Sequence, residues 1–232
     1  MEEHYQILAY IDDLEEARRL AQESNLSSKL VKMIDSIRGD LVELEPILTS
    51  EKDYQRLAGV VEEPIEYLIG SCRKGEEASS VKKAETLQGQ VYEMKNFLGL
   101  EKAKALINGN GFTLIGTTDK EGKVDIAFCG SATIIDEKHV AVAWLLLSRT
   151  TENLEANKHA TVIGSRISEE NPMDTEVARI YCTLAKEEDR GPIFEMMREA
   201  IEKEAGKTVA DMMRKVYLFK IEEIRISVPS SI

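Results

Sequence analysis

The chain has 232 residues, 43% of them hydrophobic and 31% charged, with a formal net charge of −12, a length suited to two domains of ordinary size. An acidic balance of this kind argues against nucleic acid and anionic membranes as partners, because both demand stripes of Lys and Arg. Cys72, Cys129 and Cys182 are far apart, with no CxxC pair and no Cys/His cluster; no metal site is expected, and a reducing, cytoplasmic compartment is. Neither a signal-peptide pattern nor a run of ~18 apolar residues is visible, so no membrane span is expected.

Charge divides the chain near residue 100. Residues 1–100 carry 20 acidic and 12 basic side chains, net −8, and the other 132 carry 22 and 18, net −4. In the first part, residues 4–23 place Tyr5, Leu8, Ile11, Leu14, Ala17 and Ala21 at helical spacing. The next seam runs Leu26, Leu30, Ile34, Ile37, Leu41, Leu44 and Leu48, in steps of three or four, with Ser27 as a plausible N-cap. A helix over that span is ~33 Å long at ~1.5 Å per residue. The stretch 51–70 is less regular, and Pro64 is expected to kink or restart it. Residues 70–80 read as a loop. Val81, Ala84, Leu87, Val91, Met94 and Leu98 then repeat the stripe. These spacings predict an up-down bundle of about four helices over residues 1–99. A di-iron centre would need Glu-x-x-His pairs; His4, His139 and His159 stand in no such spacing and read as exposed side chains.

Residues 100–111 predict a short helix stopped at Gly109 or Gly111. Strands follow over 111–119 and 124–135, joined by the turn Asp119-Lys-Glu-Gly122, where Gly122 can take a positive φ. Gly130 and Ser131 interrupt the second strand, as glycines do where something approaches closely. After the turn 136–139, the apolar run Val140–Leu147 ends abruptly in Ser148-Arg149-Thr150-Thr151, before a polar helix over 152–158. That junction reads two ways: an ordinary N-cap with a surface arginine, or a phosphate site. In the second, first-turn amides, the positive helix end and a bidentate guanidinium converge on one anion. Strands over 160–166, 176–186 and 216–226 complete the pattern, the last with its alternation broken near Glu222-Glu223. A polar loop holding Asn171-Pro172 and a helix over 189–207 lie between them, and Met196-Met197 in that helix reads as gap-filling core.

The order strand, DxxG turn, strand, turn, strand, Ser-Arg-Thr, then a helix with the Asn153-Leu154 pair resembles the FMN-binding split barrel of the pyridoxamine 5′-phosphate oxidase-like superfamily, over roughly residues 100–232. It is most similar to the small FMN-binding proteins of that group. The resemblance implies an α+β fold: an N-terminal helical bundle followed by an antiparallel Greek-key split β-barrel. It implies FMN with its phosphate on Ser148, Arg149 and Thr150. The flavin's ring edge and ribityl chain would lie along Ala127, Phe128 and Cys129 and the backbone of Leu146 and Leu147. A homodimer through the barrel, with the flavin in a cleft between subunits, is implied as well. The oxidase's second-strand arginines and lysine have no counterpart, since Phe128 and Gly130 stand there, and pyridoxamine phosphate oxidation is not expected. Other members bind a deazaflavin or heme, and this sequence offers no dedicated histidine for a heme iron. Three function classes are thus expected: a flavin-dependent oxidoreductase or flavin reductase, a non-catalytic FMN electron carrier, or an interaction protein whose bundle recruits a partner.

Overall fold

A computed structural model describes residues 2–48, 50–108, 113–144, 148–168 and 175–227. It divides into two compact units, Met1–Leu98 and Gly99–Ile232.

The first unit is built from α1 (Glu2–Glu23), α2 (Ser28–Leu44), α3 (Glu51–Arg73) and the first part of α4 (Glu77–Ile107). Ser27 caps α2, accepting from the Leu30 amide at 3.3 Å. The seam read as one helix to Leu48 ends at Leu44 and tightens into a 3₁₀ turn, Glu45–Ile47, whose Pro46 has no N–H to donate. Pro64 does not break α3. Leu57, Val61, Ile65, Leu68 and Cys72 are all buried along one face, and that packing carries the helix past the missing hydrogen bond. The connection read over 70–80 shrinks to three residues, Lys74–Glu76, with Gly75 at φ +71°. In α1 the buried stripe is Ile7, Leu14, Ala17 and Ala21, while Leu8 is exposed. Surface ion pairs such as Lys95–Asp40 and Lys29–Glu85, both 2.9 Å, tie α4 to α2.

Residues 99–107 belong to α4 without a break, where the sequence suggested a separate short helix. The proposed stops Gly109 and Gly111 lie outside the described residues. In the second unit this end of α4 is part of the core: Leu100, Ala103, Leu106 and Ile107 pack in one cluster with Ile115, Val140, Val142, Val162, Ile180, Tyr217 and Phe219. Asn108 stitches it in place. Its side chain donates to the Ile134 carbonyl at 3.0 Å and accepts from the Ile134 amide at 2.8 Å, as a neighbouring strand would.

That core lies against a seven-stranded sheet made of β1 (Thr113–Thr118), β2 (Val124–Phe128), β3 (Thr133–Ile134), β4 (His139–Trp144), β5 (His159–Arg166), β6 (Glu176–Glu188) and β7 (Lys215–Ser227). The order is β2-β1-β5-β6-β7-β4-β3 and every pairing is antiparallel. Among the described residues β2 and β3 are not paired with each other, so the sheet is open, which fits a split-barrel-like fold. The single strand expected over 124–135 is two: the chain turns at Gly130-Ser131, and Ser131 Oγ donates to the Ala143 carbonyl at 3.1 Å. The break in alternation near Glu222 is a register shift, since Tyr181 faces Glu223 while Cys182 faces Ile221. α5 (Ser148–Asn157) packs on β1, and α6 (Pro192–Ala205) with α7 (Lys207–Ala210) covers the other side of β4 and β7 through Met197, Ile201, Ala141, Ala143 and Val216. Met197 is buried there as expected, while Met196 is exposed.

Candidate functional site

The candidate segment is the first turn of α5. That helix begins at Ser148, four residues before the start read from sequence, so Ser148, Arg149 and Thr150 are helical residues instead of a strand end preceding a helix. Hydroxyl-bearing residues tolerate this because the opening amides of a helix have no carbonyl behind them. Ser148 and Arg149 are exposed and Thr150 is buried, which leaves two of the three side chains open to a ligand. Leu146 and Leu147 lie outside the described residues. On the other side of the junction Ala127 is half-buried, Phe128 is exposed, and Cys129 is buried at the end of β2 with its amide on the Thr113 carbonyl at 2.9 Å.

Beside Arg149 is a cleft of ≈ 260 Å³ that runs under the β1–β2 turn, between Asp119, Glu121, Lys123 and Asp125 on one wall and Glu152 and Asn153 on the other. Its charge is mixed. Asp119 is engaged within the turn, accepting from the Glu121 and Lys123 amides at 3.0 and 2.8 Å, and Gly122 takes φ +83° as the turn requires. Burial pushes the Cys129 thiol up to about 12, and burial followed by the Glu222 carboxylate does the same for Cys182. Neither is a nucleophile near neutral pH. Among the described residues no group of three or more His, Cys, Asp or Glu is placed to hold a metal ion, and no helix is long and apolar enough to cross a membrane.

No family model and no curated protein matches the sequence. Solved structures do match the backbone. An FMN-binding protein from Syntrophomonas wolfei subsp. wolfei aligns at 22% identity and a TM-score of 0.55, over 61% of this chain and 95% of that one. HupZ from Group A Streptococcus aligns at 20% identity and 0.43, over 53% and 90%. HutZ, the heme storage protein from Vibrio cholerae, aligns at 12% identity and 0.43, over 55% and 92%. Only the first scores high enough to be informative, and at that identity it speaks to fold alone. The second unit therefore shares its fold with that FMN-binding protein.

Within that fold, what holds α5 in place is a set of polar residues of which the sequence pattern contained only Asn153. Asn153 Nδ2 donates to Thr117 Oγ1 at 3.0 Å, both side chains being buried. One turn on, Asn157 Nδ2 donates to the Thr118 hydroxyl at 2.6 Å and carbonyl at 3.2 Å. On the opposite flank the Thr151 and Tyr217 hydroxyls are 2.8 Å apart, and burial raises the Tyr217 phenol above its ordinary range. The signal available was the i, i+4 spacing of the two asparagines on a short helix beside a strand ending in two threonines. The partners are 36 and 39 residues away, and only the topology brings them together.

Proposed function

We propose that the chain is an FMN-binding flavoprotein that works as an oxidoreductase or flavin reductase. The observation that carries this reading is the exposed Ser148-Arg149 pair at the start of a pinned ten-residue helix, on a fold shared with an FMN-binding protein. Arg149 would clamp the phosphate with its fork of donors while the opening amides of α5 face the same anion. Because Asp125 and Glu152 line the cleft beneath Arg149, the phosphate would sit on the amide side of the guanidinium, away from those carboxylates. Asn153 and Asn157 act at one remove, by fixing the helix that presents the amides. Ala127 and Phe128 offer extended backbone and an aromatic face to the flavin ring. When bound, the flavin supplies the redox chemistry, accepting and releasing a hydride or single electrons.

Absorption spectra of the purified chain and titration with FMN test this reading. Flavin bands near one per chain are expected. Arg149→Ala should weaken FMN by about 1.5–3 kcal/mol, roughly ten- to a hundredfold, and leave riboflavin, which lacks the phosphate, unchanged. A heme Soret band, no uptake at micromolar FMN, or equal weakening of riboflavin would refute it.

We also propose a homodimer through the barrel. Support comes from the edge strand β2, which among the described residues pairs only with β1 and so presents an unpaired backbone edge of the kind that a second copy covers.

A further inference from the structure

The sheet face turned away from the core holds a second cavity, of ≈ 490 Å³, in which α5 takes no part. It is lined by Gly116 of β1, Ile126 of β2, His159 and Ile163 of β5, Arg179 and Tyr181 of β6, and Glu222 of β7, whose carboxylate accepts from the Thr183 hydroxyl at 2.6 Å. Its floor is open where Gly116 carries no side chain, and Ile126, Ile163 and the Tyr181 ring make its walls apolar.

One charged group in it is uncompensated. In register, Ile163, Arg179 and Arg225 stand side by side across β5, β6 and β7, which sets two guanidinium groups directly opposite each other, an unfavourable cross-strand pair. Arg225 is neutralised: its Nε donates to Glu223 Oε1 at 2.6 Å, and it lies 5.2 Å over the Tyr181 ring. Arg179 is not. Its Nη2 donates to the neutral Ser227 hydroxyl, it forms no ion pair among the described residues, and its Nε is buried without an acceptor. The residue as a whole is partly exposed, but a donor atom withdrawn from water without an acceptor is costly. Folding places it at the end of an apolar cavity, where an incoming anion would satisfy it and separate the two like charges.

We propose that this cavity binds a small aromatic anion, of carboxylate or sulfonate type, with the anionic group on Arg179 and the ring over Gly116 between Ile126 and Ile163. This is a site separate from the flavin site, and it holds whether or not Arg149 grips a phosphate.

The test uses the full chain and three probes: naphthalene-2-sulfonate, its neutral analogue naphthalene-2-methanol, and inorganic sulfate, followed by probe fluorescence and calorimetry. The sulfonate should bind at least about tenfold more tightly than the alcohol, the difference expected of a hydrogen-bonded charge, and sulfate alone should not bind measurably. Arg179→Met should erase that preference and leave the alcohol's affinity unchanged. The same substitution should hold or raise the Tm, because it removes an unsatisfied buried donor; an arginine kept for structure would lower it. Gly116→Val fills the floor and should weaken both naphthalene probes. A preference that survives Arg179→Met, a Tm lowered by several degrees in that variant, or indifference to Gly116→Val would each overturn the proposal. Absence of probe binding, with a change of oligomer mass in Arg179→Met, would also overturn it and assign the face to a second copy of the chain.

Discussion

Gly164, in the middle of β5, lies under the last turn of α4, and replacing it with alanine tests how that helix end is seated. A Cβ at this position would come within 2.6 Å of Ile107 Cγ1 and within 2.6 Å of the Leu106 carbonyl oxygen, with the carbonyl carbon at 3.0 Å. Carbon atoms pack comfortably at about 3.5–4.0 Å, so something must move by roughly 1 Å. The Ile107 tip can rotate, but the Leu106 carbonyl is backbone. The helix end is also fastened: Asn108 bonds twice to Ile134, and Lys102 and Arg166 share Glu176. Overpacking of this kind costs about 1–3 kcal/mol, against a gain of about 0.4–1 kcal/mol from a stiffer unfolded chain. The expected net loss is about 1–2 kcal/mol, or roughly 4–8 °C in Tm for a unit of this size. The sole tryptophan, Trp144, belongs to the second unit, and its fluorescence during urea unfolding is the signal to follow. A Gly164→Ala protein within about 0.5 kcal/mol of wild type would show that α4 is not seated on β5 in this way.

Five further outcomes follow from the same structure. Asn153→Ala leaves the buried Thr117 hydroxyl without its donor and is expected to cost the barrel about 1–3 kcal/mol by urea titration; a neutral result would mean that α5 is held elsewhere. In the native protein all three thiols are buried, and they should react with a thiol reagent at pH 8 only after denaturant is added, whereas one rapid equivalent would contradict their burial. The raised values of Cys129 and Cys182 lie above the ordinary thiol value of 9.0. Their contribution is therefore intact below pH 9 and declines as the pH climbs from 9 towards 12, where the unfolded chain loses those protons first; stability rising over that window would refute the assignment. Removal of residues 1–98 should leave a folded, FMN-binding barrel, while removal of 1–108 should abolish folding because Leu100, Ala103, Leu106 and Ile107 leave the core with it. Light scattering with FMN bound should give twice the 26.0 kDa chain mass; monomer mass at micromolar concentration would contradict the dimer.

Sequence alone carried the elements whose cause is local. The seam from Leu30 to Leu44, the Ser27 cap and the Asp119–Gly122 turn follow from side chains within a few positions of one another, and the structure places them as read. Readings that went astray depend on distant packing. Pro64 sits inside α3 because Val61 and Ile65 are buried around it. The long strand over 124–135 divides because Ser131 finds the Ala143 carbonyl on another strand. Ser148, Arg149 and Thr150 were legible as a group, but the burial of Thr150 was not, since it is decided by where α5 lands on β1. Arg179 gave no sign in sequence: its neighbours Ile163 and Arg225 are 16 and 46 positions away and meet it only through strand register.

The strand order sets a timetable for folding. Helices α1 to α3 pack within one short stretch of chain, Glu2–Arg73, with α1 against both α2 and α3, and contacts of such short range close rapidly. The barrel cannot do this, because β4 must find β7 across 71 residues, Trp144 to Lys215, before the sheet is continuous. Until that loop closes, β4 has only the two-residue β3 for a neighbour, and its run of Val140, Ala141, Val142 and Ala143 stands in water as an unprotected edge. The two parts of one polypeptide are then expected to mature at different rates, with a folded acidic bundle tethered to a barrel that is still assembling. Conditions that slow chain closure would cost this protein its barrel first, through association of exposed strands and not through any weakness of the finished core.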